Sequence, residues 1–112
     1  MGKTISFEDF LKVDIRVGKI ISVEDFPEAK KPAYKLTVDF GKLGVKSSSA
    51  QITKRYTKEK LLGRQVVAVV NFPPKQIANF VSEVLVLGAV TASDDVILLK
   101  PDEGAELGDR IA

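Results

Sequence analysis

Polar and apolar residues alternate along much of this chain. Val13, Ile15 and Val17 are separated by Asp14 and Arg16, the period-two spacing of a strand with one buried face. Gly18 interrupts the pattern before Ile20, Ile21 and Val23 resume it. A glycine inside a strand marks a bulge or bend, which a long strand turning a barrel corner requires. Residues 24–28 (EDFPE) break the run. Tyr34, Leu36, Val38 and Phe40 then alternate with Lys35, Thr37 and Asp39 in a second strand, and Gly41 and Gly44 bracket a turn. Residues 45–52 (VKSSSAQI) predict a weaker, serine-rich third strand.

From residue 53 to 62 the period changes. Ile52, Tyr56, Leu61 and Leu62 recur at roughly helical spacing, Thr57 stands at an N-cap position, and Gly63 can end the segment. A short helix is predicted. Residues 65–72 read as a buried, valine-rich strand stopped by Pro73 and Pro74. Residues 75–80 read as a loop or a single helical turn. Residues 81–90 and 96–99 read as two more strands with a polar break between them. In the tail, Gly104 and Gly108 mark turns, and Leu107 and Ile111 would pin a short terminal strand. At the other end Ser6 and Asp9 form a weak capping box, and the following turn places Phe7, Phe10 and Leu11 on one face.

Three strands, a short helix, then two or more strands is the order of an OB-fold, an all-β, five-stranded Greek-key barrel. Such barrels bind ligands across strands two and three and the neighbouring loops. Other small barrels fit the strand pattern nearly as well. The length predicts one domain over residues 1–112, small enough that self-association would help bury apolar surface.

Charge sharpens this picture. Residues 42–64 hold seven basic residues (Lys42, Lys46, Lys54, Arg55, Lys58, Lys60, Arg64) and one acid, Glu59. The flanking segments are balanced and acidic, so a net charge of +2 conceals a basic centre. Phosphate backbones and other anionic chains are the natural partners of such a block. Lys46, Lys54, Arg55 and Arg64 are candidate phosphate contacts, against the plainer reading of a solvated surface; Lys58 and Lys60 flank Glu59 and read as surface charges. Tyr34 and Tyr56 are in phase with core positions and read as structural rather than as base-stacking platforms. Ser47, Ser48 and Ser49 would either donate to a ligand or form a soft edge strand.

The chain has no cysteine and no histidine. Disulfides, thiolate nucleophiles, zinc sites built on Cys or His and the usual near-neutral general base are thereby excluded. No phosphate-binding loop or nucleophile elbow is present, and Asp14 with Arg16 reads as a mutually orienting pair. No catalytic residue, metal or cofactor is expected. No run approaches a membrane span, and the acidic N-terminal segment is unlike a signal peptide, which predicts a cytoplasmic protein without membrane insertion.

The segment 72–80 (FPPKQIANF) is the most apolar loop. Phe72, Pro74, Ile77 and Phe80 can line a groove preset by the prolines, with Asn71, Gln76 and Asn79 as polar groups; the alternative is that these side chains close the barrel or a dimer contact. Phe7, Phe10 and Leu11 would leave an apolar helix face on a lone barrel, so packing against a second copy is expected.

Residues 10–20 (FLKVDIRVGKI) resemble the opening motif of the tRNA-binding domain appended to some methionyl-tRNA synthetases and found alone in small dimeric tRNA-binding proteins. Residues 48–56 (SSAQITKRY), 69–74 (VVNFPP) and 82–88 (SEVLVLG) are closer to the CsaA-type export chaperones, a branch of that family. The resemblance covers about residues 7–111. It implies an OB-fold homodimer joined through both chain ends, with no reaction of its own. For the chaperone branch it implies binding of unfolded precursor polypeptides on the way to the export translocase; for the wider family, tRNA. Several tRNA-linked positions differ. The family's Pro-x-Ala-Asp-Lys-Leu appears as PEAKKP at 27–32, where Lys31 takes the place of the family's lysine. Its Arg-Gln-Ile-Val-Ser-Gly stretch is replaced by KSSSAQI at 46–52. Ser82 matches the serine of Ser-x-Gly-Met, but Val84 and Leu85 replace Gly-Met. These departures favour the chaperone branch. The nucleic-acid-binding expectation rests on Lys31, Lys46, Lys54, Arg55, Arg64, Lys75 and Ser82.

Overall fold

A computed structural model describes residues 2–112; the first residue of the expected domain lies outside it. The chain opens with helix α1 (Phe7–Leu11), whose Ser6 hydroxyl accepts from the Asp9 amide as the capping pattern predicts. Strands β1 (Ile15–Asp25), β2 (Tyr34–Asp39) and β3 (Val45–Ala50) follow, with a 3-10 turn (Gly41–Leu43) before β3. Helix α2 (Lys58–Leu61) starts from Thr57, whose hydroxyl accepts from the Lys60 amide. Then come β4 (Gln65–Val69), β5 (Lys75–Ile77), β6 (Phe80–Ser82), β7 (Leu85–Val86), β8 (Gly88–Val90) and β9 (Val96–Leu98).

The main sheet runs β3-β2-β1-β4-β7 and is antiparallel throughout. It curls until its ends meet. The Ser47 carbonyl accepts from the Glu83 and Val84 amides at 2.9 and 3.2 Å. The Ser48 hydroxyl, fully buried, donates to the Val84 carbonyl at 2.9 Å. The serine run is thus not a loose edge: through Ser47 and Ser48 it closes an OB barrel, with α2 between the third and fourth strands.

The inward side chains of the alternating strands make one core. Ile20, Leu36, Val38, Phe40, Leu61 and Val66 are fully buried there, each worth about 1.5–3 kcal/mol relative to exposure. Tyr34 and Tyr56 join them. Tyr34 Oη donates to the Tyr56 carbonyl at 2.8 Å, and Tyr56 Oη accepts from the Leu98 amide at 3.0 Å.

Gly18 is not the bulge. The register shift in β1 lies between Ile20 and Ser22, where the extra residue, Ile21, turns outward and is exposed. Gly18 is required for another reason. A Cβ there would lie 2.5 Å from Val38 Cγ1 and 2.7 Å from Phe40 Cε1. In place of a terminal strand the tail makes one isolated antiparallel bridge to β1, Arg110 opposite Arg16: Val17 exchanges hydrogen bonds with Asp109 and Gly108, and the Ile111 amide donates to the Ile15 carbonyl. Arg16 fixes that tail, with Nε on Asp14 Oδ1 at 2.7 Å and Nη1 on the Gly108 carbonyl at 3.0 Å.

Two expectations fail between residues 75 and 90. The loop or helical turn at 75–80 is the β5–β6 hairpin, with Ile77 opposite Phe80 across a two-residue loop. The single strand expected at 81–90 is three pieces, because the chain bends at Glu83 and Val84 to bond β3 before returning to pair with β4.

Candidate functional site

A cleft of about 580 Å³ lies where an OB barrel carries its ligands. One wall is the loop between β1 and β2, through Phe26, Glu28, Ala29, Lys30, Lys31 and Ala33. The other is the β5–β6 hairpin, inserted between β4 and β7, through Lys75, Gln76, Ile77 and Ala78; Ser49 and Gln51 lie at the end of β3.

The walls hold each other. Phe80 packs edge-on against the buried Phe26, ring centroids 5.5 Å apart, and Lys35 Nζ lies 5.4 and 5.9 Å from the two rings. At the hairpin tip Asn79 Nδ2 donates to Glu28 Oε2 at 3.4 Å. Ala78 adopts a positive φ of 50° at the first loop position, and Gln76 Nε2 donates to its carbonyl at 2.8 Å.

Among the described residues strand β5 pairs only with β6. Because Ile77 faces Phe80 across a two-residue loop, Gln76 and Val81 form the non-hydrogen-bonded pair of the ladder. The main-chain N–H and C=O of Gln76 therefore point away from β6, on the free edge of a strand that lines the cleft.

A second, mostly apolar pocket of about 380 Å³ lies on the other side of the hairpin base, lined by Phe72, Pro73, Lys75, Ser82, Glu83, Val84 and Leu85. Lys75 borders both.

The structure divides the residues singled out by the sequence. Gln76, Ile77, Lys31 and Lys75 come together in the main cleft. Phe72 is half exposed at the second pocket, and Pro74 is exposed but lines neither. Phe80 braces the hairpin rather than offering a free face. Asn71 is a staple: its Oδ1 accepts from the Asp14 amide at 2.9 Å and its Nδ2 donates to the Lys12 carbonyl at 2.7 Å. Ser82 Oγ accepts from the Ser49 amide as part of the barrel closure.

None of the seven basic residues of the 42–64 block lines the main cleft. Lys46 is half-buried on β3 opposite Val38, and Lys54 is exposed. Arg55 is bonded to Asp95 at 2.8 Å, an interaction that holds the Asp95 carboxyl below its usual range. Lys58 is bonded to Asp25 at 2.9 Å, which raises its own pKa. The Arg64 guanidinium stacks 5.3 Å from the Tyr56 ring, its Nε buried without a partner among the described residues. The cleft's cations are instead Lys30, Lys31 and Lys75. Sequence reasoning missed Phe26, Glu28, Ala29, Lys30, Ala33, Gln51 and Ala78, and offered Ser49 only as one of two readings of the serine run. The signal was PEAKKPA at 27–33, two lysines and Ala29 held between Pro27 and Pro32, with Ala33 just beyond. Phe7 and Leu11 lie exposed on α1, which buries none of its residues, and Phe7 packs 6.3 Å from Phe10.

Comparison with known proteins places this architecture. A family model described as "Putative tRNA binding domain" matches residues 15–110. A CsaA chaperone protein from Picrophilus torridus is 62% identical, with a TM-score of 0.92 over 97% of this chain and 100% of that one. The chain belongs to the tRNA-binding-domain family, in its CsaA-type branch. A CsaA chaperone from Bacillus anthracis is 55% identical, with a TM-score of 0.93 over 98% of this chain and all of the other. The methionine–tRNA ligase of Thermococcus onnurineus is 42% identical over 107 residues, 96% of this chain but 14% of the ligase. The chain spans about one seventh of the length of the curated relatives it matches. The family match takes in both walls of the cleft and the tail beside β1. Among the described residues no helix is long and apolar enough to cross a membrane.

Proposed function

We propose that this chain is a homodimeric, export-related chaperone that binds non-native or precursor polypeptides and catalyses no reaction. The cleft beside β5 is the observation that carries this reading. It combines an unpaired strand edge, which engages any extended main chain, with a lining of Ala29, Ala33, Ile77 and Ala78 that accepts small apolar side chains. Recognition through the main chain is tolerant of sequence, as a holding chaperone requires. Kinship with CsaA chaperones over nearly the whole chain supports it. The exposed face of α1, with Phe7 and Leu11, is where a second copy would pack. Doubling the cleft lets one extended client engage two sites and gain avidity. The cytoplasm and delivery to the export translocase belong to the same reading.

The test is light scattering from a chemically denatured client diluted into buffer. The wild-type chain suppresses aggregation at near-stoichiometric dimer, and Ile77→Asp, which places a charge on the lining, weakens suppression several-fold. Full suppression by that variant would remove the cleft from the account. In sedimentation, Phe7→Ser with Leu11→Ser is expected to shift a dimer to monomer.

A second reading, tRNA binding, is favoured by the family match and by the free lysines of the cleft. It predicts tRNA affinity that falls steeply with salt and that Lys54→Glu, Arg55→Glu and Arg64→Glu together reduce. Unchanged affinity in that triple variant would exclude the basic block from tRNA contact.

A further inference from the structure

We infer that the cleft selects acidic clients: an extended segment with a carboxylate side chain among small apolar residues. This rests on the polypeptide-binding reading above and adds the class of segment that is bound.

The charged groups lining the cleft are Lys30, Lys31, Lys75 and Glu28. Glu28 is engaged at the hairpin tip by the Asn79 amide. None of the three lysines enters an ion pair among the described residues, whereas Lys12, Arg16, Arg55 and Lys58 each hold an acid. Three uncommitted ammonium groups therefore stand over an apolar lining. They are carried by both walls, two on the β1–β2 loop and one on β5, so an anionic group between the walls is attracted from both sides. Lys35 adds a fourth positive charge behind the Phe26–Phe80 pair. Lys30, Lys31 and Lys75 are all exposed, so each attraction has the modest, salt-screened strength of a surface pair.

A phosphate chain is the rival occupant, and the aromatic groups decide against it. Single-stranded nucleic acid is held by bases stacked on open aromatic faces beside a basic groove. Phe26 is buried, Phe80 is packed on it, and Lys35 stands against both rings. The cleft offers lysines and a strand edge without a stacking platform, which suits a peptide main chain with an acidic side chain.

The experiment is fluorescence anisotropy with three matched, labelled peptides, rich in alanine and extended, that differ at one or two positions: glutamate, glutamine or lysine. Each is titrated with the wild-type chain at about 50 mM and about 500 mM salt. Three contacts, each the size of an exposed ion pair, sum to about tenfold at low salt. The glutamate peptide is therefore expected to bind about tenfold tighter than its glutamine isostere, the lysine peptide weakest, and the gap to narrow to about twofold at high salt. In the Lys30→Gln, Lys31→Gln, Lys75→Gln triple variant the glutamate and glutamine peptides should bind within twofold of each other. The Lys3→Gln, Lys19→Gln, Lys100→Gln variant, altered away from the cleft, should keep the tenfold gap. Equal binding of the glutamate and glutamine peptides by the wild-type chain overturns the charge inference and leaves polypeptide binding standing. A uridine oligonucleotide that displaces the glutamate peptide at a lower concentration than unlabelled glutamate peptide overturns it in favour of phosphate. Failure of all three peptides to bind overturns the polypeptide-binding reading itself.

Discussion

Replacing Tyr56 by Phe removes one oxygen and tests whether the tyrosines hold the barrel together or serve a ligand. Tyr56 is 8% exposed, and its Oη accepts from the Leu98 amide at 3.0 Å. The substitution leaves the ring, its contact with Arg64 and the bond from Tyr34 Oη to the Tyr56 carbonyl in place. It strands the Leu98 N–H in the interior, where an unpaired donor costs about 1–3 kcal/mol. For a domain of this size the corresponding fall in Tm is roughly 5–20 °C. The assay is thermal unfolding by circular dichroism at one fixed protein concentration, since self-association would make Tm depend on it. Peptide and tRNA binding by the folded variant, measured well below its Tm, should match the wild-type chain. A stability change under about 0.5 kcal/mol, or weaker ligand binding with stability intact, would refute the reasoning.

Gly18→Ala forces a methyl group against Val38 and Phe40 and should destabilise the chain by about 1–3 kcal/mol, read from urea midpoints. Asn71→Ala removes both hydrogen bonds of the staple to Lys12 and Asp14; amide exchange should quicken across residues 10–15 while β2 and β3 stay protected. Asp95 should titrate below its ordinary 3.8, because Arg55 donates to it. Its folded pKa lies below the unfolded one, so the interaction stabilises the fold above the unfolded pKa and is lost as pH falls through the folded pKa. In Arg55→Gln the Asp95 carboxyl signal in ¹³C NMR should titrate at higher pH, and that part of the acid sensitivity should shrink.

The barrel was legible because its long strands alternate cleanly. Tyr34, Leu36, Val38 and Phe40 are all buried as the pattern predicts, and Ser6 and Thr57 cap the two helices as read. The β5–β6 hairpin was not legible. KQIANF lacks an alternating pattern, and its loop uses Ala78 and Asn79, without the glycine that usually marks a two-residue hairpin turn. The cleft was half legible for the same reason. Gln76, Ile77, Lys31 and Lys75 were found, but apart from Lys31 the wall at 26–33 offered no candidate: residues 24–28 read as a strand break and 27–32 as a departure from the family's motif. The basic block was visible as composition, while its partners Asp95 and Asp25 lie 40 and 33 residues away from Arg55 and Lys58, a distance that no local pattern spans. Gly18 shows the same limit: its position inside a strand was plain, but the approach of Phe40 that requires it is a tertiary fact.

The central claim is that an extended polypeptide lies between the β1–β2 loop and the free edge of β5. Backbone amide shifts followed by ¹⁵N NMR during titration with an alanine-rich, glutamate-bearing peptide test it most directly. The account predicts that the perturbed amides cluster at residues 26–33, 49–51 and 75–78, with the Gln76 N–H among the most shifted. Perturbation confined to the basic segment 53–64 with the Gln76 amide unmoved would contradict it.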